Sequence, residues 1–197
     1  MDLSVLQYEV VDSVAVIRMN HPPVNAFGPA FLEDLETVLE RLDKAGEARA
    51  ALITSAIPFL FSAGDDVSQL REIDDSLLEL HPRAVAAAIN GHALGGGFEL
   101  ALTCDFRFMA TGPGLVGLPE VRLGMIPAFG GTQRLTQLVG KAKALELMFK
   151  GLQLTPEAAL QAVEEEARVF RQNIRSHDAK EGVAAFLDGR KPNFKGQ

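Results

Sequence analysis

The stretch that decides the fold runs Ala84-Val-Ala-Ala-Ala-Ile89, then Asn90-Gly-His-Ala-Leu-Gly-Gly-Gly97, then Phe98-Glu-Leu-Ala-Leu102. The first part is a short apolar run typical of a buried strand, and the last part predicts an apolar helix. The three consecutive glycines between them let the backbone approach a ligand closely, and they leave N–H groups available at the helix start. Such a helix start stabilises a phosphate or a developing oxyanion. The stretch therefore predicts a strand–loop–helix unit with a binding site at its turn.

Glu99 is a lone acid in the first turn of that apolar helix. A buried carboxylate is costly there unless it has a function, and the helix dipole favours its ionised form, which suits a base or a water-binding group. The alternative is an ordinary glutamate that complements the dipole from a solvated face. The sequence alone leaves both interpretations open.

A second lone acid, Glu120, stands in Val116-Gly-Leu-Pro-Glu-Val-Arg-Leu-Gly-Met-Ile-Pro127, where the pattern predicts a loop. The common alternative for such a residue is a surface ion pair, here with Arg122. Two isolated glutamates in glycine-rich surroundings suggest paired acid–base chemistry, which needs two carboxyl groups with different pKa values.

A third segment, Phe61-Ser-Ala-Gly-Asp-Asp66, follows a predicted strand and precedes a predicted short helix at 67–72. It could supply a second backbone N–H to the same cleft. A strand-to-helix turn capped by Asp65 or Asp66 explains the segment equally well.

The rest of the chain alternates strand and helix patterns, which predicts βαβ units in a layered α/β core. The core is expected to reach about residue 140, and 141–197 is expected to be a helical region with a helix start at Thr155-Pro156. The individual predictions are a hairpin at 5–19 turning at Asp12-Ser13, a helix at 29–43, and strands at 50–53, 84–89 and 106–109.

The composition of the chain excludes several classes of protein. The chain has 197 residues, 47% of them hydrophobic, and a net charge of −7, which excludes a disordered chain and argues against nucleic-acid binding. The single cysteine, Cys104, excludes an internal disulfide and a cysteine-based metal site. The histidines lack metal-ligand spacing, no apolar run could span a membrane, and the start of the chain does not read as a targeting segment. We therefore expect a cytoplasmic protein without a metal.

One glycine-rich motif is similar to a nucleotide-binding loop but does not fit that structure. Residues 112–117 match the glycine fingerprint of dinucleotide-binding folds by letter, but Pro119 follows at once and prevents a helix from starting there. We therefore expect a turn and no nucleotide cofactor at this point.

The three segments, in this order, resemble the enoyl-CoA hydratase/isomerase (crotonase) superfamily. The matching stretches are Phe61–Asp66, Ile89–Glu99 and Leu118–Pro127, and Gly130–Leu135 and Lys191–Gly196 complete the likeness over nearly the whole chain. The resemblance implies a crotonase (ClpP-like) fold of stacked ββα units. It also implies that the helical C-terminal region builds trimers or dimers of trimers.

The resemblance implies an oxyanion hole made by the backbone N–H groups of Asp65 and Gly96, which would hold the carbonyl oxygen of an acyl-CoA thioester. It also makes Glu99 and Glu120 the catalytic pair that holds one water, with Glu120 exchanging the proton at Cα. Coenzyme A would enter as part of the substrate, so no separate cofactor is expected. The other contacts with the substrate that the resemblance implies are Ala26, Ser62, Ala63, Asp66, Val67, Gly95, Pro119 and Gly124, with Phe194 and Lys195 reaching the CoA of a neighbouring subunit.

The presence of Glu99 favours an enoyl-CoA hydratase, because family members that only shift a double bond typically replace this glutamate. A Δ3,Δ2-enoyl-CoA isomerase that uses Glu120 alone is the alternative enzyme. A non-catalytic binding protein of the same fold is the alternative from another class.

The chain departs from the family pattern at three points. Asp65 is not the commonest residue at its position, and Ser68 stands where many relatives carry a lysine near the CoA. Family chains are usually longer by several dozen residues, and the missing material maps to 72–80 and to Val163-Glu164. The chain is therefore either a compact form of the fold that retains its catalytic segments or a longer chain from which these two segments have been left out.

Overall fold

The computed structural model describes residues 2–66 and 84–163, together with six single residues nearer the C-terminus: His177, Glu181, Arg190, Lys191, Asn193 and Lys195. The predicted helix at 67–72 and the apparent shortening at 72–80 lie outside the described residues. At the second apparent shortening, Val163 is described and Glu164 is not.

The chain begins with the predicted hairpin. Strands β1 (Leu6–Val11) and β2 (Val14–Met19) pair antiparallel. Asp12 and Ser13 between them both adopt left-handed backbone conformations, with φ of 48° and 63°. A two-residue turn of this hand matches the twist of the paired strands, which confirms the hairpin prediction.

The hairpin continues into a five-stranded sheet with the strand order β1-β2-β3-β5-β7. Strands β3 (Ala50–Ser55), β5 (Ala84–Ile89) and β7 (Phe106–Met109) run parallel to β2, and β1 at the edge of the sheet is antiparallel to them. Helix α1 (Pro29–Ala45) begins at a proline, as helices often do, and follows β2 in the chain. Its buried apolar face is Phe31, Leu35, Val38 and Leu42, as the helical spacing predicts.

A second sheet has the order β4-β6-β8-β9. It contains β4 (Phe59–Ser62), β6 (Gly91–Leu94), β8 (Val116–Gly117) and β9 (Gln153–Leu154). The predicted loop between β5 and the helix is wrong at 91–94, which form strand β6. The segment pairs with β4 and β8, so long-range hydrogen bonding makes it a strand despite its glycine.

Helix α2 (Gly96–Thr103) follows β6 directly, as the deciding stretch predicts. Strands β5 and β6 are consecutive but lie in different sheets, and the helix comes next. The corner between them is fixed by Asn90, whose Nδ2 donates to the Ile57 carbonyl at 2.9 Å. This strand–strand–helix order confirms the predicted stacked ββα architecture.

The later helices are α3 (Gly131–Val139), α4 (Lys141–Phe149) and a helical segment at 156–163. The last begins as predicted, with the Ala158 N–H donating to Thr155 Oγ1 at 3.3 Å. Residues 112–117 form bends and the short strand β8 without opening a helix, in agreement with the prediction of a turn.

The loop predicted around Glu120 is wrong. Glu120–Leu123 form a single turn of 3₁₀ helix that ends at Gly124 with φ of 71°. Such a short helix has no apolar periodicity, so a sequence pattern cannot distinguish it from a loop.

Two compact units are present, 1–159 and 160–197. The predicted division into a core at 1–140 and a helical region at 141–197 stays a prediction, as does the oligomer-building role of the second region. No helix in the described part of the chain has the length and apolar character that crossing a membrane requires.

Candidate active site

Glu99 is fully buried in the first turn of α2, with an exposed fraction of 0%. Its Oε1 accepts hydrogen bonds from the N–H groups of Phe129 at 2.9 Å and Gly131 at 2.7 Å. Gly131 is the first residue of α3, so the start of one helix holds a carboxyl carried by another. The alternative of a glutamate on a solvated face is therefore wrong.

The approach of α3 to Glu99 requires a glycine. A Cβ atom built on Gly131 would lie 2.6 Å from Glu99 Oε1, far inside van der Waals contact. The main-chain N–H reaches the carboxyl because no side chain intervenes.

The other oxygen of Glu99, Oε2, is buried and has no hydrogen-bond partner among the described residues. The pKa of Glu99 is raised to about 7, mainly by burial; the N–H groups of Gly131 and Phe129 oppose the shift, and the charges of Glu120 and Asp65 add to it. The helix dipole alone would favour the ionised form, but desolvation is the largest influence on this buried carboxyl, so the net shift of its pKa is upward. Glu99 therefore combines one anchored oxygen with one oxygen that can accept or hold a proton.

Glu120 is half-buried and follows Pro119 at the start of the 3₁₀ helix. Both of its carboxyl oxygens are buried and lack a hydrogen-bond partner in the described part of the chain. Burial, and then the charge of Asp65, raises its pKa. Within the described residues no ion pair joins Glu120 to Arg122, so the alternative of a surface ion pair is wrong.

Glu120 lies beside the glycine turn. A Cβ atom on Gly95 would be 3.4 Å from Glu120 Oε1. Gly95 caps α2 and its N–H donates to the Gly117 carbonyl at 3.0 Å, which ties β8 to the turn. The structure thus brings the second predicted acid to the start of the helix that carries the first.

Asp65 pairs with Phe27 in an isolated parallel bridge. The bridge uses the Phe27 N–H to the Gly64 carbonyl at 2.9 Å and the Asp66 N–H to the Phe27 carbonyl at 2.9 Å. In a parallel bridge this pattern leaves the N–H of Asp65 directed away from Phe27.

Gly96 lies against Asp65. A Cβ atom on Gly96 would be 2.7 Å from Asp65 Oδ1. Gly96 is also the first residue of α2, so its N–H has no acceptor within the helix. The two residues predicted to form an oxyanion hole are therefore in contact, and the assignment itself stays a prediction.

The carboxyl group of Asp65 is a third acid at this place, where the sequence predicted an N–H donor or a helix cap. Its Oδ1 is buried without a hydrogen-bond partner among the described residues. Burial raises the pKa of Asp65 to about 6. The signal available in the sequence was an acid directly after Gly64, in a turn that leads to the same glycine cluster.

Two other predicted contact residues, Ser62 and Ala63, lie in the segment that carries Asp65 and are held there by hydrogen bonds. Ser62 is fully buried, and its Oγ donates to the Asn25 carbonyl at 2.8 Å and accepts the Gly64 N–H at 3.0 Å. Ala63 is exposed, with its N–H bound to the Val24 carbonyl at 3.0 Å. These bonds fix the segment that carries Asp65 against residues 24–27.

The remaining predicted contact residues belong to several separate segments of the chain. Ala26 and Asp66 are half-buried, and the Ala26 carbonyl oxygen lies 3.1 Å from His21 Nδ1. Gly124 is exposed at the end of the 3₁₀ helix, and Lys195 is exposed in the second compact unit. Val67 and Phe194 lie outside the described residues, and all of these assignments stay predictions.

Sequence reasoning missed the residues that hold Glu99. Phe129 and Gly131 act through their backbone N–H groups, so their side chains carry no chemical signal. The glycine pair Gly130-Gly131 immediately before a helix was the available pointer, since glycine at a helix start permits close approach. Among the described residues no group of three or more His, Cys, Asp or Glu is arranged to hold a metal ion.

The family model for enoyl-CoA hydratase/isomerase matches residues 9–162. Together with the fold and the paired glutamates at the start of α2, this match identifies the chain as a member of the enoyl-CoA hydratase/isomerase family, the crotonase superfamily. The resemblance inferred from the sequence is confirmed.

Curated relatives carry hydratase names. A "probable enoyl-CoA hydratase" of Bacillus subtilis is 33% identical over 260 residues, covering 99% of this chain and 100% of the relative. A "short-chain-enoyl-CoA hydratase" of Clostridium acetobutylicum is 36% identical over 175 residues, covering 81% of this chain and 67% of the relative. The first alignment is longer than the 197 residues of this chain, so that relative has segments this chain lacks.

Solved structures agree with the fold. A crystal structure of an enoyl-CoA hydratase from Geobacillus kaustophilus superposes with a TM-score of 0.77 at 28% identity, covering 100% of this chain and 98% of that one. An enoyl-CoA hydratase from Bacillus anthracis gives a TM-score of 0.74 at 27% identity, covering 98% and 100%. The predicted crotonase fold is therefore confirmed.

Proposed function

We propose that the protein adds water across the α,β double bond of a 2-enoyl-CoA thioester. The observation that carries this proposal is the state of Glu99, whose Oε1 is fixed by two N–H groups while its buried Oε2 has no partner among the described residues. The charge of Glu120 raises the pKa of Glu99, so the two carboxyls are close enough to interact. A double-bond shift needs one acid–base group, whereas holding and splitting a water uses two.

The thioester carbonyl oxygen binds the N–H groups of Asp65 and Gly96. When water attacks Cβ, the electron pair of the double bond moves toward this oxygen and an enolate forms. Donors placed in advance stabilise that charge, and each commonly contributes about 3 kcal/mol to lowering a barrier.

The protons balance if Glu99 starts ionised and Glu120 starts protonated. The water oxygen bonds to Cβ and one water proton passes to Glu99. Glu120 then delivers its proton to Cα as the enolate collapses, and exchange between the two carboxyls restores the starting state. Burial raises the pKa of both groups, which favours the retention of a proton by the pair.

Coenzyme A enters this scheme as part of the substrate, and the scheme uses no further cofactor. We extend the proposal to a homotrimer or a dimer of trimers, in which Phe194 and Lys195 contact the CoA of a neighbouring subunit. Sedimentation equilibrium tests the assembly, and a monomer at working concentration would contradict it.

The activity is tested by mixing the protein with a short 2-enoyl-CoA and following the loss of the conjugated thioester absorbance. We expect turnover by the wild type. Glu120→Gln should lower kcat by about 10²- to 10⁴-fold, because the amide has no proton to deliver at Cα. Glu99→Gln should lower it similarly, because the amide cannot accept a proton from water.

Glu40→Gln is the matched control, since Glu40 is an exposed glutamate on α1 paired only with Lys44 in the described structure. Its kcat should equal that of the wild type. Full hydration activity in Glu120→Gln would remove that residue from the mechanism. If Glu99→Gln instead retains full turnover of a 3-enoyl-CoA, the protein is an isomerase that uses Glu120 alone, and if no acyl-CoA is turned over despite tight CoA binding, it is a binding protein.

A further inference from the structure

We propose that the side chain of Asp65 works in its protonated form, donating a hydrogen bond to the thioester oxygen beside the two backbone N–H groups. The inference rests on the proposed hydration and adds a third donor to the oxyanion hole. It assigns a role to a side chain at a position where the family resemblance assigns only an N–H.

The position of Oδ1 is the first support. This oxygen lies 2.7 Å from the Cβ position of Gly96, the residue whose N–H is the second predicted donor. The N–H of Asp65 itself is directed away from its bridge partner Phe27. A carbonyl oxygen bound between these two N–H groups would therefore lie beside the Asp65 carboxyl.

The lack of a partner is the second support. Asp65 Oδ1 is buried and has no hydrogen-bond partner among residues 2–66 and 84–163. Buried polar atoms are normally satisfied, and leaving one unsatisfied costs free energy. The neighbouring Glu99, whose exposed fraction is 0%, also has an unpartnered oxygen, so the cluster contains more buried hydrogen-bonding capacity than the described chain uses.

The surroundings favour the proton on Asp65. The other acids near it are Glu99 from α2, Glu120 from the 3₁₀ helix and Asp66 next in the chain. Repulsion between Glu99 and Asp65 is mutual, so the ionised Glu99 that starts the hydration opposes a second negative charge on Asp65. On the segment that pairs with Asp65, the titratable side chain is His21, whose ring nitrogen is 3.1 Å from the Ala26 carbonyl oxygen. Burial raises the pKa of Asp65 to about 6, and a bound thioester that excludes water would raise it further.

The chemistry also requires the proton. An ionised carboxylate beside the oxyanion hole would oppose the negative charge of the enolate, whereas a neutral carboxyl donates to it. Asp65 keeps its proton through the cycle, and no bond is made or broken at its side chain. The hydration rate should therefore fall as pH rises through the pKa of Asp65.

The experiment compares pH profiles of kcat/KM for a short 2-enoyl-CoA in the wild type, Asp65→Asn and Asp65→Ala. Neither variant carries a charge at this position, and the working form of the wild type is neutral there as well, so the acid limb should keep its position in both. Asn keeps an N–H donor that does not titrate, and Ala has none. Loss of one oxyanion donor should make Asp65→Ala slower than Asp65→Asn by about 10²-fold.

The second measurement is the slope with which kcat/KM falls on the alkaline side of the pH profile. We expect the fall in kcat/KM to involve one more proton in the wild type than in Asp65→Asn, so the slope is steeper in the wild type. The reason is that the variant no longer has Asp65 to ionise. Asp12→Asn controls for the loss of one negative charge, since Asp12 lies in the exposed β1–β2 turn. Its profile should match that of the wild type.

Two results would overturn the inference while leaving the hydratase proposal intact: equal rates in Asp65→Asn and Asp65→Ala, or an unchanged alkaline slope in Asp65→Asn with an active wild type. A wild type that hydrates no enoyl-CoA at any pH would remove the proposed function, and this inference with it.

Discussion

At the scale of single residues, the buried Glu99 lowers the stability of the folded state when its carboxyl is ionised. Its pKa rises from 4.5 to about 7, mainly because it is buried. A carboxyl whose pKa is higher in the folded than in the unfolded state favours folding below its unfolded pKa. That contribution is lost as pH rises through the folded pKa. The ionised group therefore weakens the fold above about pH 7 by about 3 kcal/mol.

Glu99→Gln should remove much of this pH dependence. Between about pH 5 and pH 8 the free energy of unfolding should fall for the wild type and fall less for the variant, because the amide does not ionise. Urea unfolding at the two pH values measures the difference. Asp65 and Glu120 also carry raised pKa values, so the variant keeps part of the effect.

Glu40→Gln is again the comparison, because its side chain is exposed. Equal pH dependence in the wild type and Glu99→Gln would contradict the account of Glu99 as a desolvated carboxyl.

The sequence identified Glu99 and Glu120 but could not decide their environment. Burial of Glu99 depends on residues 129–131, which are about thirty positions away and contribute only N–H groups. The same limit applies to Asp65. Its buried oxygen without a hydrogen-bond partner can be recognised only in the folded structure, where Gly96 lies against it. Chemistry-bearing residues could thus be read from local pattern, whereas desolvation and missing partners are long-range properties.

At the scale of elements, the contact between α2 and α3 positions the first acid. The N–H groups at the start of α3 reach Glu99 because Gly131 has no side chain. Gly131→Ala would bring a methyl group to 2.6 Å from Oε1, so the carboxyl must move. We expect kcat for hydration to fall by at least about tenfold, with KM changing less, because the water-binding oxygen is displaced.

Gly28→Ala is the matched control, since a Cβ atom there meets nothing within 4 Å and the backbone is extended with φ of −146°. Steady-state kinetics on the two variants tests the contact. Unchanged kcat in Gly131→Ala would show that the anchoring of Glu99 by α3 is not required for turnover.

Elements with an apolar pattern of their own were predictable, and elements that depend on distant pairing were not. Helix α1 and strands β1, β2, β3, β5 and β7 agree with the predictions because each has a clear apolar pattern of its own. Strand β6 and the 3₁₀ helix have four residues each, and their form depends on pairing and turns formed with distant segments. The glycines of 91–97 indicated a loop, while the backbone pairing makes part of it a strand.

At the scale of the whole molecule, the chain retains the residues of the proposed site within its first compact unit, apart from the tail residues predicted to reach a neighbouring subunit. The alignment with the B. subtilis relative extends over 260 residues, so the shorter length reflects segments that the relative has and this chain lacks. Both glutamates, the glycine turn and the start of α3 lie inside the region matched by the family model. Hydration should therefore be a property of this shorter chain itself.

The most direct measurement of that claim is the mass of the product formed from a short 2-enoyl-CoA in water enriched in oxygen-18. The account predicts a 3-hydroxyacyl-CoA that carries one heavy oxygen, formed by the wild type and strongly reduced in Glu99→Gln and Glu120→Gln. Recovery of the substrate, or of an isomer with unchanged mass, would contradict it.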